Sequence, residues 1–246
     1  MKIGGLQKLT LVDYPGKVAA TVFLIGCNFR CGFCQNLDIV DPERAERVEG
    51  QISESDFFKF LDSKIGLIDG ICITGGEPTI NADLEDFIKK IKVKEFLIKL
   101  DSNGSNPEML ERLIREKLLD FIAMDVKTSP EKYKEAIGEK IHPIKSREAG
   151  SPEATFNRVK QSVDLIKNSG IDYEFRTTVV PGLVEKDDIE KIGQWLQGAK
   201  KIALQQFQNK KVLDKEFEKV LPYPDETLKK FKKILEKYIE RVELRA

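Results

Sequence analysis

The stretch Val18–Cys34, VAATVFLIGCNFRCGFC, decides how the rest of the chain is read. Its first part, Val18–Ile25, is apolar and β-rich enough for a buried strand. The loop that follows carries Cys27, Cys31 and Cys34 in the spacing CxxxCxxC, which puts three thiols at the carboxyl end of that strand. A short loop can wrap three soft thiolates around one metal centre, and such ligands select zinc or iron–sulfur centres. Cubane 4Fe–4S clusters usually take four cysteines, one per iron, so three ligands leave one iron open to a substrate. Zinc ribbons prefer paired CxxC units. A structural zinc site completed by Cys72 is the competing reading of the same spacing.

Five further β-rich runs lie outward from this stretch: Gly70–Thr74, Phe96–Leu100, Phe121–Asp125, Tyr173–Val180 and Ile202–Phe207. They alternate with helical periodicity in Ser53–Leu61, Leu84–Ile91, Met109–Leu119, Phe156–Ile166 and Ile189–Leu196. Ser53 stands three residues before Asp56 in the manner of a capping box, and Asn106-Pro107 and Ser151-Pro152 put a capping residue before a first-turn proline. This alternation predicts an α/β fold of parallel strands joined by right-handed crossovers, an incomplete (β/α)6 TIM-like barrel with outer helices. A closed eight-stranded barrel takes ~250 residues and more strand signals than these. The polar stretch Glu139–Ala154 is expected to be a long connection, with His142, the chain's one histidine, at the surface. The lysine- and glutamate-rich tail from Asp225 has Leu228, Phe231, Leu235 and Tyr238 at helical spacing. We expect one domain over residues 1–246, with its core at about 15–210 and a helical extension at 222–246.

Composition narrows the functional classes. A chain of 246 residues hides roughly 73% of its unfolded surface. With 41% hydrophobic and 33% charged residues it is neither a disordered tail nor a membrane-embedded protein. Its 41 basic and 41 acidic residues balance, so the basic excess of a general nucleic-acid binder is missing. No run approaches the ~20 apolar residues of a membrane span, and the start has no apolar signal segment. A cytoplasmic protein without nucleic-acid or membrane partners is expected. Such a chain needs no disulfide staples, so three cysteines within eight residues point to metal or redox chemistry. Cys72, between Ile71 and Ile73, is expected to be a small buried core residue.

CxxxCxxC after the first strand resembles the signature of the radical S-adenosylmethionine (SAM) superfamily. Thr74-Gly75-Gly76-Glu77-Pro78 after the second strand is similar to that family's GGEP motif. There the backbone and the glutamate hold the amino group of SAM, as glycines permit close approach and a carboxylate suits an ammonium. More of the chain resembles the activases of glycyl radical enzymes. The opening Gly4–Gly16, GGLQKLTLVDYPG, looks like that branch's entry to its first strand. Asp101-Ser102-Asn103-Gly104 resembles its DTNG, Asp125-Val126-Lys127 its DLK, and Arg176–Gly182 its fifth-strand arginine and VVPG turn. The resemblance covers about residues 1–210, and within the branch it is greatest to anaerobic ribonucleoside-triphosphate reductase activating proteins.

What the resemblance implies is concrete. Cys27, Cys31 and Cys34 would hold a single 4Fe–4S cluster. Gly75, Gly76, Glu77, Ser102, Asn103, Asp125, Lys127 and Arg176 would contact SAM. Phe33 would pack near the adenine. Gln35 stands where related activases often have histidine, and Gln208 is the nearest polar substitute for a sixth-strand histidine near the ribose. Arg176, inside an apolar strand, needs an anionic partner, from SAM or a neighbouring aspartate. Asp101 and Asp125, taken singly, are also plausible turn or capping residues. The implied activity is oxidoreductase chemistry that cleaves SAM to a 5′-deoxyadenosyl radical and installs a glycyl radical on a partner enzyme, with flavodoxin or ferredoxin as electron donor. A radical SAM enzyme for a small molecule and a zinc-stapled interaction module are the alternatives. No second cysteine cluster is present, which excludes activases with extra ferredoxin-like centres.

Overall fold

The computed structural model describes residues 1–40, 50–138 and 152–245, so His142 and most of the 139–154 connection lie outside the described residues. In chain order the elements are β1 (Ile3–Thr10), β2 (Ala19–Leu24), α1 (Leu37–Val40), α2 (Glu54–Asp62), β3 (Gly70–Gly75), α3 (Leu84–Lys92), β4 (Leu97–Ser102), α4 (Pro107–Arg115), β5 (Phe121–Asp125), α5 (Tyr133–Ala136), α6 (Pro152–Asn168), β6 (Asp172–Val179), α7 (Lys186–Trp195), β7 (Lys201–Gln206), α8 (Asp225–Leu235) and β8 (Arg241–Arg245). The strand order follows the chain, β1 through β8, so the series is open, with β1 and β8 as its ends. The chain divides into two compact units: Met1–Asn28, Asp38–Ser102 and Asn106–Ile122 form one, and Phe29–Leu37, Asn103–Ser105 and Ala123–Ala246 the other.

In the first unit β2, β3 and β4 are parallel and in continuous register, Thr21 facing Cys72 and Cys72 facing Lys99. Side chains alternate across a strand. Val22, Ile73 and Leu100 therefore share one fully buried aliphatic face, while Thr21, Cys72 and Lys99 share the other. β1 was not expected as a strand; it pairs antiparallel with β2, with two register irregularities. The helices start where capping chemistry places them. Ser53 Oγ accepts the Asp56 N–H at 3.0 Å, and Asn106 Oδ1 accepts the Met109 N–H at 3.2 Å with Pro107 in the first turn.

In the second unit β6, β7 and β8 are parallel. β8 is the second unexpected strand. The tail forms a helix only to Leu235, with Leu228, Phe231 and Leu235 buried, and then pairs β8 with β7. β8 is pinned by charge. The buried Glu174 accepts two hydrogen bonds from Arg245, at 2.8 and 2.6 Å, and lies 3.1 Å from Lys201. Asp188 on α7 ties the segment after β5 in place: it accepts Ser129 Oγ at 2.6 Å, Lys132 Nζ at 2.7 Å and the Glu185 N–H at 2.9 Å. Among the described residues no helix is long and apolar enough to cross a membrane.

Candidate active site

Most of the expected site residues sit at or just after the carboxyl ends of β2 through β5, while Arg176 lies within β6 and Gln208 follows β7, and each unit is built by its own contacts. In the first unit the turn after β3 is tied to the backbone after β2. The Gly76 N–H donates to Leu24 O at 2.9 Å and the Glu77 N–H to Gly26 O at 2.8 Å. Both glycines are required by this approach. Gly75 has φ +122°, and a Cβ there would stand 2.4 Å from the Leu24 backbone; a Cβ on Gly76 would stand 1.9 Å from Gly26 O. Gly75 makes room for the backbone of Leu24 and Gly76 for that of Gly26, the residue before Cys27.

Glu77 is 1% exposed, and its Oε1 accepts three donors: Thr79 N–H at 3.1 Å, Thr79 Oγ1 at 2.5 Å and Ser102 Oγ at 2.9 Å. Ser102 thus reaches the site through Glu77. Thr79, which the sequence reading passed over, holds the same carboxylate and is itself fixed by Asn106 Nδ2 on its carbonyl at 2.6 Å. Lys99 was also passed over. It is 2% exposed, ion-paired with Asp101, and its Nζ lies 3.6 Å from Cys72 Sγ. Cys72 is buried as expected, but its neighbour is an ammonium rather than aliphatic carbon alone. A lysine inside an apolar strand was the available signal, by the reasoning already applied to Arg176.

In the second unit the loop that bears Cys31 and Cys34 is covered by a segment with no pattern legible in the sequence. Leu213 N–H donates to Cys34 O at 3.0 Å and Asp214 N–H to Gly32 O at 2.9 Å. Phe217 packs edge-on to Phe33 at 6.1 Å, and a Cβ on Gly32 would meet its ring at 2.4 Å. Gln35 is exposed and its Nε2 donates to Gln208 O at 3.5 Å and Lys210 O at 3.3 Å; Gln208 meets it through its backbone and is itself exposed. Arg30 N–H donates to Ile137 O at 2.9 Å. Asn103, 5% exposed, accepts the Ser105 N–H at 2.9 Å and shapes the turn after β4.

Asp125, Lys127 and Arg176 come together as a trio. Asp125 Oδ1 accepts Arg176 Nε at 2.8 Å and Oδ2 accepts Lys127 Nζ at 2.9 Å. Burial alone would raise the Asp125 pKa, but Arg176 and Lys127 outweigh it and hold the carboxyl well below its usual range. Burial would lower Lys127 and Asp125 outweighs it, so the ammonium is held above its usual value. Two cations on one carboxylate leave a net positive charge, and among the described residues Lys127 Nζ makes one hydrogen bond, so it has further N–H donors to offer an anionic ligand group. Burial pushes the Cys31 thiol up to about 12, against the pull of Lys127, and raises Cys34 as well. These thiols therefore ionise only against a metal or an equivalent positive charge.

A depressed carboxyl contributes stability that is present above its unfolded pKa and lost as pH falls through the folded one. We expect the unfolding free energy of the metal-free chain to drop below pH ~4 by more than that of Asp125→Asn, the difference being about 1.5–3 kcal/mol at neutral pH. Urea unfolding of both chains between pH 7 and pH 3 measures it, and parallel acid limbs would show that the trio contributes nothing.

The family model of the radical SAM superfamily matches residues 21–196. The chain belongs to that superfamily. A protein of Methanocaldococcus jannaschii, provisionally named a glycyl-radical enzyme activating enzyme, is 38% identical over 246 residues, spanning 99% of this chain and 95% of its own. The pyruvate formate-lyase-activating enzyme of Streptococcus mutans is 28% identical over 219 residues, 82% of this chain and 75% of its own. Among solved structures, SuiB of Streptococcus suis, in complex with its precursor peptide SuiA, superposes with a TM-score of 0.65 at 12% identity, over 92% of this chain and 48% of SuiB. The fold is thus the partial βα barrel of the radical SAM enzymes, and the chain is an enzyme of that class, with a 4Fe–4S cluster and SAM as cofactors. The donor set fits the cluster: Cys27, Cys31 and Cys34 carry thiols outside any disulfide, soft ligands of the kind that iron–sulfur clusters take. As placed, no three His, Cys, Asp or Glu side chains among the described residues form a ready-made metal site.

Proposed function

We propose that this radical SAM enzyme installs a glycyl radical on a partner protein. One observation carries the reading: the 38% identity to a protein bearing the activating-enzyme name runs over nearly the whole of both chains, not over the cofactor-binding part alone. In this reading Cys27, Cys31 and Cys34 hold the cluster. Glu77, kept in place by Ser102 and Thr79, takes the amino group of SAM, with Gly75 and Gly76 in the same turn, and Asn103, which shapes the turn after β4, is a further SAM contact. Lys127 and Arg176, oriented by Asp125, offer donors to its carboxylate and hydroxyls. Phe33, Gln35 and Gln208 line the adenosyl side. What the bound cofactors supply is one-electron cleavage of the sulfonium and, from it, hydrogen abstraction from a glycine of the partner. The residues of the chain bind, orient and exclude water. An electron donor such as flavodoxin or ferredoxin serves as reductant, and the partner is a glycyl radical enzyme such as anaerobic ribonucleotide reductase.

Anaerobically reconstituted protein given dithionite and SAM is expected to release 5′-deoxyadenosine and methionine. With a candidate partner added, the doublet of a glycyl radical is expected in its electron paramagnetic resonance spectrum. Nucleoside release without a radical on any glycyl radical enzyme tested would move the substrate to another class. A reduced cluster with no nucleoside release would end the enzymatic reading of the site.

A further inference from the structure

Six large aliphatic side chains of the first unit lie open to solvent: Leu9, Leu11, Val12, Ile65, Leu67 and Val93, from 57% exposed at Ile65 to 84% at Val93. Nine large hydrophobic side chains are exposed among the described residues, and these six fall on three short segments, 8–18, 62–69 and 93–96. Strand register brings the segments to one end of the sheet. β1 runs antiparallel to β2 with Thr10 facing Ala19, so the turn that joins them lies at the amino end of β2. Ala19 faces Gly70 and Gly70 faces Leu97 in the parallel strands, so the segments that enter β3 and β4 lie at that same end. Asp69 ties all three together. The Val18 N–H donates to its Oδ2 at 2.8 Å, its own N–H donates to Val18 O at 2.7 Å, and its carbonyl accepts the Leu97 N–H at 3.0 Å. Lys94 adds an ion pair to Asp62.

Turns ordinarily take Gly, Pro, Asn, Asp or Ser, and a single exposed aliphatic residue needs no explanation. Here the six residues expose roughly 700 Å² between them, more than the largest apolar patch of an ordinary monomer, about 300–600 Å². It is close to the ~800 Å² that each partner gives to a standard interface. Charge narrows the occupant. The three segments carry four basic and four acidic residues, and the whole chain 41 of each. Such a face neither repels its own copy nor selects a strongly charged partner. Glu77 and Ser102, the candidate site residues of this unit, stand at the opposite, carboxyl ends of β3 and β4, so an occupant of this face does not reach them.

We propose that this end of the first unit is a self-association face, on which a second copy of the chain packs about a two-fold axis with the six aliphatic side chains at the centre of the contact. An isologous contact needs one self-complementary patch, and an apolar centre within a rim of balanced charge meets that need. Each copy then keeps the carboxyl ends of β3 and β4 free for substrate.

The test is sedimentation equilibrium of the anaerobically reconstituted full-length chain between about 1 and 100 μM, where a contact of standard size is expected to show a dimer. Val12→Glu and Leu67→Glu, on two different segments, are each expected to weaken the dimer at least tenfold, because each puts a carboxylate into an apolar contact. Leu221→Glu is the control, at a residue 80% exposed in the second unit, and is expected to leave the dimer unchanged. A wild-type chain that stays monomeric throughout overturns the proposal. So does a dimer that tolerates both substitutions, or one that Leu221→Glu breaks, since either places the contact elsewhere. A monomer that co-sediments with vesicles of phosphatidylcholine and phosphatidylglycerol, and loses that binding in Val12→Glu, also overturns it and gives the face to a lipid surface. Should one of the two variants fail to fold, the other decides alone.

Discussion

Cys31→Ala is expected to lose the cluster and SAM cleavage together, whereas Cys72→Ala keeps both. Cys31 is buried in the second unit, and its carbonyl accepts the Cys34 N–H at 3.0 Å, so its thiol is fixed in a tight turn. With it gone, two thiolates remain for four irons, too few to hold a cubane against hydrolysis and oxidation. Cys72 lies inside β3, in register with Thr21 and Lys99. Removing its sulfur takes a soft acceptor 3.6 Å from the Lys99 ammonium and leaves a small void, for which we expect a stability loss of about 1–2 kcal/mol. Lys99 keeps its ion pair with Asp101, so the strand is expected to fold. Cys72→Ser, which retains an acceptor, should recover part of the loss. Iron and sulfide content, visible absorbance and 5′-deoxyadenosine yield, measured side by side on the two alanine variants, check the contrast. If Cys72→Ala strips the metal as thoroughly as Cys31→Ala does, the site is a closed four-thiolate one.

The six expected strands were legible because each is a short, largely apolar run, and observed ends fall within one or two residues of those the sequence suggests. β1 and β8 were not. β1 has glycines at positions 4 and 5, only its two end residues are buried, and its pairing slips twice, so no period-2 pattern forms. β8, RVELR, alternates charged and apolar residues at the end of the series, and its charges make sense only beside Glu174 and Lys201, which are distant in sequence. The site divides in the same way. Cysteines, glycines and the Asp125, Lys127 and Arg176 trio were legible from strand ends and motif spacing. Arg176 needed an anion, and Asp125 is that anion. Thr79 and Phe217 act through tertiary neighbours, and nothing local marks them, whereas Lys99 carried one local signal, a lysine inside an apolar strand. The polar run around Phe217 looks like any solvated loop until its backbone is seen bonded to Gly32 and Cys34.

Two glycines, one in each unit, back onto residues that directly precede cysteines, and their replacement is expected to have the largest effect on folding of any single change considered. Gly76 backs onto Gly26, which precedes Cys27, and Gly138 backs onto Arg30, which precedes Cys31. In each case a Cβ would stand 1.9 Å from a carbonyl oxygen, far inside contact distance, and the atom in the way is backbone, which cannot rotate aside. Gly76→Ala must push the turn off β2, and it then breaks Gly76 N–H to Leu24 O and Glu77 N–H to Gly26 O, both made by main chain. Two hydrogen bonds at about 1 kcal/mol each, plus strain in a packed region, bring the expected cost to about 3 kcal/mol or more. Gly138→Ala adds a backbone cost of roughly 1–2 kcal/mol, because its φ is +88°. Gly182, also at positive φ, has nothing within 4 Å of its Cβ position and serves as the control: Gly182→Ala pays for backbone conformation alone. Urea unfolding of the metal-free chains is expected to rank wild type above Gly182→Ala, and both above Gly76→Ala and Gly138→Ala. Iron retention after reconstitution is expected to fall only in the last two. Should Gly76→Ala unfold at the midpoint of Gly182→Ala and bind iron as wild type does, the turn after β3 does not position the residue that precedes Cys27.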